Sequence, residues 1–310
     1  SILYMSSLKK NKIRHALTKK NKQKKSKFYE ISPTNFGWKF GYGFFSNYRI
    51  CLEQLIVHFQ TKSKTIPYIN WAKTTWVEGF NPFESTVCKS NENPFDWWFE
   101  QTIPTNNDTI IKCTNGPRPD LIDHAQHYFN NKVSLDLQQK VDKLYIKPKK
   151  YIMDQIEDIY NKEFKNEVVL GIMARGSEYN THHPMYGVFG IEQYILEIKN
   201  VLETHKNITK LFIVSEETEY VNKIHEAFPN SYFVPNVFRR TDETDEYINH
   251  VHCWINVSKK RDLHTKKLGE ECIIQTKLLG KCDYLFGRHC GLIAGAVLWN
   301  DNIKDVIIIK

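Results

Sequence analysis

From Val168 to Ile309 the sequence alternates short, continuous apolar runs with stretches of helical period, and few folds accommodate that rhythm. Val168–Met173, Leu211–Val214, Tyr232–Val234, Tyr284–Phe286 and Val306–Ile309 read as strands. Between them Ile191, Ile195, Ile198 and Val201/Leu202 recur at helical spacing, as do Val221, Ile224 and Phe228. Further helices are expected over Leu268–Leu279 and through the small residues of Ala294–Leu298. Strands without polar alternation are buried on both faces, and strands separated by helices run parallel. The expectation is an α/β fold whose C-terminal half is a doubly wound parallel sheet.

Upstream, Gly37, Gly41 and Gly43 interleave with aromatics as a loop entering a helix that ends near Gln60. Ile66–Ile69 reads as a strand. Trp71–Glu100, which includes WAKTTW and NPFDWWFE, carries too many Pro, Asn and Gly for long regular elements. A chain of 310 residues exceeds one small core. Lys-Pro-Lys-Lys followed by a charged helix marks the boundary, so the expected division is a basic tail over 1–28 and α/β units over 29–155 and 156–310, facing a cleft.

The net charge of +8 sits in the tail. Lys9, Lys10, Lys12, Arg14, Lys19, Lys20, Lys22, Lys24, Lys25 and Lys27 occur with no acid among them, which leaves the body at about −2. Such a run is solvated, or attracted to an anionic membrane surface. Nucleic acid is a lesser expectation, because the body has no basic stripe to extend the footprint. No apolar run approaches the roughly 18 residues of a membrane span. The opening SILYMSSLKK has too short an apolar part for a signal peptide. The expected location is cytoplasmic and peripheral to a membrane, with a secretory lumen left open. Seven scattered cysteines without a CxxC pair read as reduced, mostly buried thiols.

Ligands of doubly wound sheets collect beyond the carboxyl ends of the strands. Three loops there are informative. ARGSEY (Ala174–Tyr179) sets Arg175 beside Gly176 and Ser177 at a strand end, where a guanidinium suits phosphate oxygens; Arg175 paired with Glu178 would instead simply hold the loop. Ser215, Glu216 and Glu217 close the next strand, either gripping a sugar or base edge or starting a helix. In CDYLFGRHCGLIAG, Arg288 and His289 precede a helix whose free amides near Cys290 and Gly291 fit an anion, or the small residues serve a tight turn. There is no P-loop, no Asp-x-Asp pair, no GxSxG elbow and no four-ligand zinc spacing, so no metal is expected.

At ARGSEY the chain begins to resemble the inverting, metal-independent fucosyltransferases with two Rossmann-like halves, the GT-B arrangement. That group includes α1,6-, α1,2- and protein O-fucosyltransferases and bacterial surface-polysaccharide relatives. GIMARGSEY, His183-Pro184, LFIVSEE and GEECIIQTKLLGKCDYLFGRHCG resemble its motifs in order. GYGFFSNY and NPFDWWFE resemble its bacterial members in the N-terminal half. The resemblance implies a GDP-fucose donor, a glycan acceptor, and no cofactor or metal. Arg175 would contact the diphosphate and stabilise charge on the leaving nucleotide, with Glu178 orienting it or hydrogen-bonding the donor. His183 would line the donor site, Glu216 and Glu217 would meet base or ribose, and the Arg288–Gly291 loop would offer amides to the diphosphate. Tyr42, Gly43, Phe44 and Ser46 would face the acceptor. Gly176 stands where many eukaryotic members carry a second arginine, as in bacterial relatives, and the chain departs from the family's pattern at Glu178 in place of Asp and at Gln275 in place of Asp; Glu271 lies one turn before Gln275 and is placed to supply that charge. Two alternatives stand beside this reading: the same fold with another nucleotide sugar, and a noncatalytic nucleotide- or nucleic-acid-binding protein using the tail.

Overall fold

The computed structural model describes residues 25–34, 43–77, 92–106, 108–113, 134–176, 189–240 and 261–309. Its first part runs β1 (Lys27–Ile31), α1 (Phe44–Gln60), β2 (Ile66–Ile69), α2 (Phe95–Trp98), β3 (Phe99–Glu100), β4 (Thr109–Lys112), α3 (Leu135–Tyr145), β5 (Lys147–Pro148) and α4 (Lys150–Glu163). The second runs β6 (Val169–Ala174), α5 (Ile191–Thr204), β7 (Lys210–Ser215), α6 (Thr218–Ala227), β8 (Ser231–Tyr232), α7 (His264–Leu279), β9 (Tyr284–Gly287), α8 (Gly291–Leu298) and β10 (Asp305–Ile308). The protein is therefore mixed α/β, built on two parallel sheets. Lys27 and Phe28, assigned to the basic tail by the sequence, are the first residues of β1, and Phe28 is buried. The division at 155/156 falls within α4.

The smaller sheet has the order β2-β1-β4, every pair parallel. Next to it, aromatic packing rather than ladder hydrogen bonds holds the irregular segment after β2. The Phe44 ring lies 5.2 Å from Trp71, 5.1 Å from Trp76 and 5.3 Å from Trp98, all at steep angles. Each such ring buries roughly 150–250 Å², worth about 4–6 kcal/mol at about 25 cal/mol per Å². That is enough to order a stretch with little secondary structure. Its backbone is satisfied by side chains: Asn93 Oδ1 accepts from Trp71 N at 2.8 Å, and Asn93 Nδ2 donates to Ile69 O at 2.7 Å. Trp98 is fully buried and belongs to the core.

The larger sheet has the order β10-β9-β6-β7-β8, again all parallel. Along β6 the side chains alternate between two cores. Leu170, Ile172 and Ala174 meet Tyr194 and Ile198 of α5 and Val221 and Ile224 of α6. Val169 and Met173 turn to the other face, with Ile152 and Ile156 of α4 and Ile273 and Leu279 of α7. Helices thus cover both faces, which is why β6, β7 and β9 carry unbroken apolar runs. The strand expected over Tyr232–Val234 ends at Tyr232, and the Val234 carbonyl is taken by Arg239 at 2.9 Å.

The two sheets share one continuous apolar core. Phe45 of α1 packs on Gly291 and Gly295 of α8; a side chain at Gly295 would collide with the Phe45 ring, and one at Gly291 would crowd Phe45 Cβ. Trp98 donates its indole N–H to Lys266 O of α7 at 2.8 Å. Asp142 of α3 accepts from Tyr48 of α1, and from Trp299 after α8 at 3.1 Å.

Candidate functional site

Numbered in order of appearance, the strands of the larger sheet read 3-2-1-4-5, so the strand order reverses between β6 and β9. The crevice beyond the carboxyl ends at such a reversal is where open α/β sheets bind ligands. Arg175 and Gly176 follow β6, Ser215–Glu217 end the neighbouring β7, and Arg288–Cys290 follow β9. The described parts of all three sequence-selected loops therefore stand at one edge.

Arg175 is fixed from several directions. Its Nε stands 3.1 Å from Glu216 Oε1, with both side chains largely buried. The same oxygen accepts the Gly176 amide at 3.4 Å. The Tyr194 hydroxyl accepts the Arg175 amide at 3.0 Å and donates to its carbonyl at 3.3 Å. Glu217 lies over Gly176 so closely that a Cβ there would overlap its carboxylate. Ser215 is buried and its Oγ accepts from Glu217 N at 3.1 Å, so the hydroxyl shapes the turn ahead of α6 rather than capping the helix. Arg240 completes this wall, donating its amide to Glu216 O at 2.8 Å and accepting from Thr218 N at 2.9 Å.

On the other side, Cys290 precedes the first turn of α8. Burial pushes the thiols of Cys290 and Cys272 up, the latter to about 12, while the Arg175 guanidinium opposes the rise in both. These sulfurs therefore border the arginine as neutral thiols. Burial also lowers His289, which keeps its imidazole neutral. Arg288 is 1% exposed, with its guanidinium carbon 6.0 Å from the Phe189 ring. The start of α1 meets the start of α8, since Phe45 lies against Gly291. Two helix N-termini, each a partial positive charge, thus adjoin the edge that carries Arg175, and at α8 the Leu292 and Ile293 amides are aimed at the Cys290 sulfur.

Glu271 is committed elsewhere. Arg261 grips it with both nitrogens, at 2.5 and 2.6 Å, and it accepts from Phe238 N at 3.2 Å. Gln275 is buried and donates to Glu271 O at 3.3 Å, while its carbonyl oxygen has no hydrogen-bond partner. The charge expected of Glu271 is therefore spent on Arg261. Phe44, expected to face an acceptor, is 3% exposed in the aromatic core; Gly43 and Ser46 do stand at the start of α1. Tyr42, Ser177, Glu178 and His183 lie outside the described residues. Tyr194 was not singled out by the sequence, which marked Ile191, Ile195 and Ile198 on the same helix. Among the described residues no group of three His, Cys, Asp or Glu is placed to hold a metal ion, and no helix is long and apolar enough to cross a membrane.

No family model matches the chain, and no curated protein matches it in sequence. Solved structures do match it in shape: the chain shares the two-sheet GT-B fold of solved fucosyltransferases. It aligns with an α1,6-fucosyltransferase, NodZ, soaked with GDP-fucose, at a TM-score of 0.51 and 14% identity, over 89% of this chain and 93% of that one. NodZ co-crystallised with GDP and the fucosyltransferase NodZ from Bradyrhizobium align with the same score, identity and coverage. The likeness is one of fold.

Proposed function

We propose that the protein is a glycosyltransferase that moves fucose from GDP-fucose to a glycan hydroxyl with inversion. In this reading the donor occupies the carboxyl edge of the larger sheet in the 156–310 unit, and the acceptor approaches from the 29–155 unit. The carrying observation is Arg175, held at the sheet's reversal by Glu216 and Tyr194 beside the N-terminus of α8. A guanidinium there donates two parallel bonds to a diphosphate, and the helix amides add to the same charge preference. The acceptor oxygen attacks the anomeric carbon from the side opposite the diphosphate. The carbon–oxygen bond to the β-phosphate breaks, the bond's electrons leave on GDP, and the acceptor proton passes to a base. Arg175 stabilises the growing negative charge, a role worth about 10²–10³ in rate for a single preorganised donor. We read the reaction as needing no metal for that charge.

A second reading keeps the fold and changes the donor sugar. It is favoured by Glu271, whose carboxylate is occupied by Arg261 and leaves the uncharged Gln275 at the position where the family carries Asp. Calorimetric titration with GDP, GDP-fucose, UDP and ADP, in EDTA, separates the two. Selective GDP binding that is lost in Arg175→Ala supports the first reading, and selective UDP or ADP binding supports the second. A chain that binds none of them, but binds nucleic acid until residues 1–24 are removed, would sink both.

A further inference from the structure

We propose that Tyr194 is a positioning residue for Arg175, fixing where the guanidinium meets the donor; this rests on Arg175 being the diphosphate-binding cation. β6 ends at Ala174, so the Arg175 amide and carbonyl lie just past the last residue of the strand and need partners from elsewhere. One hydroxyl answers both. The Tyr194 oxygen accepts from Arg175 N at 3.0 Å and donates to Arg175 O at 3.3 Å.

The hydroxyl is itself immobile. Tyr194 is 0% exposed, and its ring is caged edge-on by Phe189 at 4.8 Å, Tyr220 at 5.9 Å and Phe286 at 6.3 Å. A cage of rings packs a phenylalanine equally well, and an unpartnered buried hydroxyl is costly. Packing alone therefore does not call for a tyrosine at this position. Glu216 holds the guanidinium end at 3.1 Å, so the arginine is clamped at its backbone by α5 and at its head by the β7 loop. Displacing a reacting group by about 1 Å costs up to about 10²-fold, which makes a backbone clamp on the key cation consequential.

The test compares Tyr194→Phe with Tyr220→Phe, each in the wild-type and Arg175→Lys backgrounds, by calorimetric Kd for GDP and by melting temperature. Tyr220 is the control, because its hydroxyl donates to Phe189 O at 3.4 Å rather than to Arg175. Tyr194→Phe is expected to weaken GDP about tenfold in the wild-type background and less than twofold with Arg175→Lys, with Tm moved by about 2–4 °C or less. Tyr220→Phe should leave Kd unchanged in both backgrounds. Equal weakening by Tyr194→Phe in both backgrounds, or none in either, overturns the proposal while leaving the reading of Arg175 intact. A wild-type chain that binds no GDP removes that reading first, and the role of Tyr194 with it.

Discussion

Glu216 Oε1 lies 3.1 Å from Arg175 Nε while the same oxygen accepts the Gly176 amide. One carboxylate therefore sets the direction of the cation and the course of the loop that follows it. It also withdraws part of the positive charge that an anionic ligand would meet.

Those two effects have opposite signs, so Glu216→Gln separates them. The amide oxygen keeps both hydrogen bonds but no longer neutralises Arg175. Ground-state binding of GDP is expected to hold or tighten by up to about tenfold, as one like charge leaves the site. On the proposed reaction, turnover of GDP-fucose is expected to fall about 10–100-fold, because a guanidinium held less firmly stabilises the leaving group less well. Isothermal titration and GDP-release kinetics give the two values. Weaker GDP binding at unchanged turnover would mean that Glu216 serves the ligand directly.

Much of the larger sheet was legible because burial on both faces writes itself as unbroken apolar runs. β6, β7, β9 and β10 appear within a residue or two of their expected positions. The three loops at their carboxyl ends followed from the same arithmetic. β1 was hidden: KFYEI begins inside the basic run, and only Phe28 and Ile31 of its side chains are buried. β4 shows no burial signature at all, since every residue of this edge strand is exposed. α3 turns Gln138 and Asp142 inward along with Val141, which breaks the apolar period that marks a helix. Phe44 was misplaced because α1 starts at that very residue, and the first turn points its ring into the tryptophans. The role of Tyr194 depends on one hydroxyl meeting a backbone nineteen residues away in sequence, and no local pattern records that.

The contact between Trp98 and Gly269 predicts where the joint between the two sheets is least tolerant. A Cβ on Gly269 would overlap the six-membered ring of Trp98, which is fully buried and tethered through its indole N–H to Lys266 O. Phe44, Trp71 and Trp76 surround that ring and leave it little room to retreat. Alanine within a helix normally gains up to about 1 kcal/mol over glycine. Here overpacking costs about 1–3 kcal/mol, and loss of the Trp98 bond adds about 1 kcal/mol. Gly269→Ala should therefore be less stable by about 1–3 kcal/mol in urea unfolding. A variant as stable as wild type, or more so, would show that α7 moves freely relative to the tryptophan cluster.

Asp142 makes the same joint sensitive to acid. Burial raises its carboxyl from 3.8 to about 6, against the pull of Lys277, Tyr48, Trp299 and Lys143. Lys277 is lowered from 10.5 to about 8, again chiefly by burial, and lies 4.0 Å over the Trp299 ring. Between about pH 6 and 8 both groups are charged, and both carry a burial cost. As pH falls through 6, the folded chain takes up a proton on Asp142 that the unfolded chain accepts only near 3.8. Folding therefore gains stability from this group below pH 6, and the gain is complete below the unfolded value. In full, the gap between 3.8 and about 6 is worth on the order of 3 kcal/mol. Asp142→Asn cannot titrate, and it leaves Lys277 without its opposite charge. The stability difference in favour of wild type should then widen as the pH drops from 7 to 4.5, with about half of the Asp142 gain in place by pH 5. Urea unfolding of both proteins across that range measures it directly, since groups that titrate alike in the two cancel. A difference that stays flat or shrinks on acidification would mean that Asp142 is ionised throughout, held by Tyr48, Trp299 and Lys277 more strongly than burial opposes it.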